Sequence, residues 1–405
     1  MMQPITEEFV RRIPKTDLHV HLDGSLRLST LIDLAKQRRL ELPSFSEEGL
    51  NELVFKSHYR DLNDYLSGFQ WTVAVMQDPE SLERVAYELA IDNAEEGVRY
   101  LEVRFAPQLN MHETLGFEEV MHAVDRGLRR ARDTLNRDLP TGIPPFEYGI
   151  IVCAMRFFTA AFSRYYRDLF EVHRYSDPAE VTQYASMEAA KATVKLRRES
   201  DVQVVGFDLA GAERGHPAAI HERAFGYVHR GFLNKTVHAG EAYGPESIFQ
   251  AISKLHADRI GHGLHLFNEE LLGIENPEDR RRYVRNLVDF IANNRTTIEV
   301  CLTSNLQTSP DMQTPQQHSL GRMLAQNLSL TFCTDNRLVS HTTVTNEIML
   351  ALQHFDIPPR QLKNIIIYGF KRSFFYRPYP EKRHYVRSVI DYYESIEREF
   401  SIKER

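Results

Sequence analysis

Short runs of apolar and β-branched residues recur along this 405-residue chain, separated by longer stretches whose apolar positions return every three or four residues. The first pattern fits strands buried on both faces, the second amphipathic helices. Strands are predicted at 17–22, 100–105, 148–155, 202–209, 235–238, 259–261, 297–302 and 328–333. Helices are predicted at 81–96, 118–136, 178–199, 245–256, 278–293 and 320–327. Strand alternating with helix implies parallel pairing, and eight such units imply an α/β fold, a (β/α)₈ TIM barrel with its active-site groups at the C-terminal strand ends. An extra helical stretch, about 26–78, follows the first strand and reads as a lid over the mouth. An irregular segment at 164–177 lengthens the connection after the third strand, and a charged helix at about 383–403 closes the barrel. With no internal repeat or Pro/Gly-rich linker, residues 1–405 read as one domain.

Polar residues gather where those strands end. His19 and His21 lie two apart in the first strand, which sends both rings to one face. The fifth strand runs into Thr236-Val237-His238-Ala239-Gly240-Glu241, the sixth into Arg259-Ile260-Gly261-His262-Gly263, the eighth into Thr334-Asp335-Asn336. Three histidines and a carboxylate suffice for a catalytic zinc with one position left for water. A lone histidine at a strand end is ordinarily a packed core residue, and of the 17 histidines His58, His122, His173, His229 and His354 are read that way. His19, His21, His238, His262, Glu241 and Asp335 differ because all fall at the same end of the predicted barrel. Glu102 and Arg104, two apart on the second strand, share a face and read as buried ion-pair members.

These segments resemble the adenosine deaminase family of metal-dependent purine deaminases. The matching pieces, in family order over roughly residues 10–380, are Asp17 to Ser25, Leu101 to Pro107, Phe207 to Gly211, His238 to Glu241, Arg259 to Gly263, Thr303-Ser304-Asn305 and Thr334-Asp335. The resemblance implies one zinc per chain on His19, His21, His238 and Asp335. It implies that Glu241 protonates purine N1 and that His262 orients the attacking hydroxide. It further implies that the Gly211 amide meets N3, that Asp23 binds a ribose hydroxyl, and that the lid helix with Tyr65 and Phe69 forms a hydrophobic wall near the ribose. The spacing of Tyr65 and Phe69 alone is equally that of ordinary core. The chemistry of the first two roles follows independently: zinc lowers the pKa of its water towards ~7, and attack at C6 requires an acid for N1. One departure is Asp335-Asn336-Arg337, where the family usually has a second aspartate. In the family that aspartate meets N7; the Asn336 amide can donate there without being protonated, although asparagine is also a common turn residue.

Composition narrows the partners. With 49 basic against 56 acidic residues, net charge −7 and no single-sign block, neither a nucleic-acid arm nor a polybasic membrane patch is expected. The expected partner is a small-molecule purine nucleoside. No apolar run is long enough to span a bilayer, and residues 1–15 mix Glu7, Glu8, Arg11 and Arg12 without a leader-like apolar core. Cys153, Cys301 and Cys333 read as reduced core thiols, which fits a cytoplasmic protein. Deamination of adenosine and 2′-deoxyadenosine is the leading expectation. The rivals are an adenine deaminase, whose branch of the family typically carries aspartate where this chain has Gly261, a deaminase of 5′-substituted adenosines, and a non-catalytic nucleoside-binding protein.

Overall fold

The computed structural model describes residues 5–402. The first four and last three positions of the chain, including Lys403 at the end of the expected closing helix, lie outside the described residues, and with them both ends of the expected 1–405 domain. Eight strands, β1 (Lys15–His21), β2 (Val98–Phe105), β3 (Glu147–Met155), β4 (Val204–Ala210), β5 (Asn234–Ala239), β6 (Arg259–His262), β7 (Thr297–Val300) and β8 (Leu330–Phe332), form one sheet in sequential order. Every neighbouring pair is parallel. Just past β8 the sheet meets β1: the His21 N–H donates to the Asp335 carbonyl and the Asp335 N–H to the His19 carbonyl, each at 2.7 Å. These two bonds close the (β/α)₈ barrel and seat Asp335 beside both histidines.

Three of the longer helices begin where the sequence offers a polar cap followed by proline. Asp78 caps Pro79–Glu95 through the Ser81 amide, and Asp177 with Glu180 forms a capping box on Pro178–Glu199. The segment between β1 and β2 folds into helices Leu28–Arg38, Glu47–Leu53, Leu62–Leu66 and Phe69–Val75. Residues 164–177, expected to be irregular, contain the helix Arg164–Val172, capped by Ser163. Tyr165, Tyr166, Leu169 and Phe170 on it cover Phe158 and Val181, an apolar stripe at helical spacing. The strand expected to reach residue 302 stops at Val300, because the chain turns into helix Leu302–Thr308, where the buried Glu347 carboxylate accepts from the Thr303 N–H. The closing helix runs Tyr379–Glu399, starting four residues earlier than expected beside Pro378 and Pro380.

The outer faces of the strands carry apolar residues such as Leu18, Val20, Leu101, Val103, Ile150 and Val152, all inaccessible to solvent. The barrel interior is charged. Glu299 lies at its centre, with Oε2 bonded to Arg104 at 2.9 Å and Oε1 to Arg259 at 2.6 Å and Thr236 at 2.9 Å. Arg104 also pairs with Asp208 at 3.0 Å, and Arg259 with Glu102. Glu102 and Arg104 are thus buried ion-pair members, as their shared face implies, but each pairs with another strand.

Candidate active site

The C-terminal strand ends open into a cavity of about 660 Å³. The expected site residues His21, Asp23, Tyr65, Phe69, Gly211, His238, Glu241, His262, Asp335 and Asn336 all line it, while His19 sits beneath, fully buried. Helices Leu62–Leu66 and Phe69–Val75 form one wall, and Phe157 and Phe162 from the loop after β3 stand on another.

Four donor groups converge on the floor. His19 Nε2 and His21 Nε2 lie 3.0 and 3.1 Å from His238 Nε2, and Asp335 Oδ1 lies 3.5 and 3.4 Å from the first two. Ligands ~2.0–2.1 Å from a tetrahedral ion stand ~3.3 Å apart, so these separations fit one small cation. The outer nitrogens are already occupied: His19 Nδ1 donates to Glu299 at 2.8 Å and His238 Nδ1 to Asp208 at 3.0 Å. That arrangement leaves the Nε2 lone pairs facing one another, unfavourable unless a proton or a metal lies between them. Asp335 Oδ2 is held by the Ser304 hydroxyl at 2.6 Å. Burial disfavours the Asp335 carboxylate, but its bond to His19 and the surrounding imidazoles outweigh this and hold its pKa well below the ordinary range. Beneath the cluster the buried carboxylates Glu102, Asp208 and Glu299 pair with the buried guanidiniums Arg104 and Arg259.

Backbone form makes this convergence possible. His262 and Asp335 adopt left-handed conformations, φ 64° and 60°, which non-glycine residues seldom take and which occur often at functional sites. Gly261 leaves room for the His19 ring: a Cβ there would lie 2.8 Å from its Cε1. A longer side chain at 261 would collide with the floor of the site.

The remaining groups face the cavity from above. Glu241 Oε1 lies 3.7 Å from His262 Nε2. Burial, then the charges of Asp335 and Glu213, push the Glu241 carboxyl well above the usual range, which favours its neutral, proton-bearing form. Burial holds His262 neutral, and its Nε2 has no protein partner. Asp23 is pushed up to about 7, chiefly by burial, and its Oδ1 is likewise unpartnered. Asn336 spends one N–H on the Tyr65 hydroxyl at 2.8 Å, and that hydroxyl also meets Ser340 Oγ at 2.7 Å. Tyr65 therefore ties the lid to the loop after β8 in addition to lining the wall. Gly211 lies on the cavity rim at φ 93°.

The sequence profile described as Adenosine deaminase matches residues 14–392 of this chain. The adenosine deaminase of Mycobacterium avium (strain 104) is 34% identical over 392 residues, covering 96% of this chain and 98% of that protein. The chain belongs to the adenosine deaminase family. Its members' shared activity makes this deaminase a purine-deaminating hydrolase. Among solved structures, an amidohydrolase from Burkholderia ambifaria with bound Zn superposes with TM-score 0.74 at 18% identity, covering 100% of this chain and 96% of that one. The Arabidopsis N6-mAMP deaminase gives TM-score 0.71 at 24% identity, covering 95% and 99%. Both share the fold of this deaminase.

Several residues of the site had no individual signal in the sequence. Glu213 accepts from four consecutive amides, Gly240 at 2.9 Å, Glu241 at 3.0 Å, Ala242 at 2.6 Å and Tyr243 at 3.0 Å, and so fixes the turn carrying Glu241. Arg156 donates to the carbonyls of His238 and His216 on the side where β4 and β5 pair only at their starts. Asp208 lay inside a quoted motif, and only the fold gives it a partner.

Proposed function

We propose that this protein is a zinc-dependent adenosine deaminase, converting adenosine and 2′-deoxyadenosine to the inosine nucleosides and ammonia. The observation carrying this reading is the four-donor cluster facing the buried Glu241 across one cavity. His19, His21, His238 and Asp335 would hold a single zinc ion. Bound there, zinc supplies hydroxide at neutral pH by lowering the pKa of water. Glu241, three residues beyond His238 on a turn fixed by Glu213, delivers its proton to purine N1 as the ring loses aromaticity at C6. Asp23, with a free oxygen, takes a ribose hydroxyl; the Gly211 amide takes N3, and the second N–H of Asn336 takes N7. The apolar residues Leu62, Leu66 and Phe69 cover the nucleoside and exclude water.

A nucleoside fits better than a nucleotide. No lysine or arginine lines the cavity among the described residues, so a 5′-phosphate would leave water without a cation to meet it. The apolar wall with Phe157 and Phe162 also supports apolar 5′-substituted adenosines as a second substrate group. Among the described residues no helix is long and apolar enough to cross a membrane, and three buried free cysteines support a cytoplasmic location.

Ammonia release from adenosine, 2′-deoxyadenosine, adenine, AMP and 5′-substituted adenosines tests this. The two nucleosides should be comparable, with AMP at least ~10-fold poorer for want of a phosphate partner. Preference for adenine or AMP would overturn the nucleoside assignment.

A further inference from the structure

His262 faces the cavity through Nε2, and whether that nitrogen carries a hydrogen decides what it can do. A neutral imidazole with its proton on Nδ1 presents a lone pair and can act as a base; with its proton on Nε2 it can only donate. The answer lies outside the cavity, in Asn305 on helix Leu302–Thr308 and in His318, both fully enclosed.

A chain of three hydrogen bonds runs from the backbone to His262. It starts at the Leu320 N–H, which meets His318 Nδ1 at 2.9 Å. A backbone N–H can only donate, so His318 Nδ1 is an acceptor and His318 carries its proton on Nε2. That nitrogen lies 3.2 Å from Asn305 Oδ1, which fixes the amide with its oxygen towards His318. Asn305 Nδ2 then lies 3.0 Å from His262 Nδ1 and donates to it. Each link has one donor and one acceptor, and the sense set at Leu320 passes unchanged to the end. We propose that Asn305 and His318 are positioning residues that lock His262 as the Nε2–H tautomer, so that it donates a hydrogen bond to the oxygen attacking C6. This rests on the deaminase reading of the cavity. It removes His262 as the base for that oxygen and gives it an orienting role, with one lone pair of the oxygen held and the other left to face C6. Proton on Nδ1, or on both nitrogens, would set an N–H against the Asn305 N–H.

The test is ¹⁵N–¹H correlation spectroscopy of the metal-loaded enzyme with labelled histidine, the His262 signals being identified by their loss in His262→Gln. The wild type should show His262 and His318 both as Nε2–H. Asn305→Asp places an acceptor beside Nδ1, so His262 should move to Nδ1–H while kcat falls ~10–100-fold, the range for loss of such a supporting partner, with KM changed much less. His318→Ala should lose the locked tautomer. His318→Gln should restore it, because the glutamine oxygen can accept from Leu320 and its amide can donate to Asn305. His262 found as Nδ1–H or imidazolium in the wild type overturns the proposal, and that measurement needs no variant except for identification. A tautomer switch in Asn305→Asp with unchanged turnover overturns the functional half. Wild-type protein that releases no ammonia from any adenosine nucleoside would instead refute the deaminase reading, leaving the spectroscopic result to stand alone.

Discussion

Glu241 shows how one residue's surroundings set its chemistry. Burial first, then the negative charges of Asp335 and Glu213, favour its neutral form, and in the role proposed for it, giving a proton to N1, a carboxyl works only while it holds one. For the Glu241 proton alone the sign is fixed: with its pKa raised, the proton donor is present below that pKa and is lost as pH rises through it. A pH–rate profile for adenosine should therefore show an alkaline limb lying above the ordinary carboxyl range. A fall centred near the ordinary carboxyl value would contradict the assignment. Glu241→Gln keeps the shape but cannot deliver the proton, and should lose ~10²–10⁴-fold in kcat while retaining bound metal and nucleoside affinity. Near-normal turnover, or loss that merely follows lost metal, would count against it. At the same scale Asn336 stands where the family usually has a second aspartate. Its amide is already shared with Tyr65, so contact with N7 would depend on the lid staying in place.

Among the elements, the turn after β5 is held from outside itself. The Glu213 carboxylate binds four successive amides and the Ser247 hydroxyl at the start of helix Pro245–Ser253. Glu213→Gln keeps one acceptor oxygen and puts N–H groups against the others. It should cost about 1–3 kcal/mol of stability, read as a lowered thermal midpoint, together with reduced turnover from a displaced Glu241. An unchanged midpoint would show that the turn holds itself. This is also where the sequence stops being readable. His19, His21, His238, His262 and Glu241 could be placed because period-two alternation and strand ends fix their direction. Glu213, Arg156, Ser340 and His318 could not, and Asn305, although inside a matching segment, had no partner assigned, since each acts on a group that only closure of the barrel brings near. The Arg164–Val172 helix is a different case: its apolar stripe was present in the sequence, but its many charges and aromatic residues obscure it. The helix that follows the early end of β7 is bonded at Thr303 to Glu347, more than forty residues away in the chain.

Across the whole molecule, the barrel concentrates charge at its centre and apolar packing at its periphery. Arg104, Arg259 and Glu299 hold the inner carboxylates in place, and these hold the outer nitrogens of His19 and His238. That leaves the inward nitrogens of His19 and His238 turned towards His21 and Asp335, with Ser304 and the β1–β8 closure keeping Asp335 in position. Such a site should be mononuclear: the four donors lie within 4.8 Å of one another, room for one ion. The most direct measurement is metal content by elemental analysis of protein purified without added metal, followed through chelation alongside ammonia release from adenosine. The account predicts about one zinc per chain, activity lost in step with its removal, and recovery on adding zinc back. Two tightly held ions per chain, or full activity after the metal is gone, would contradict it.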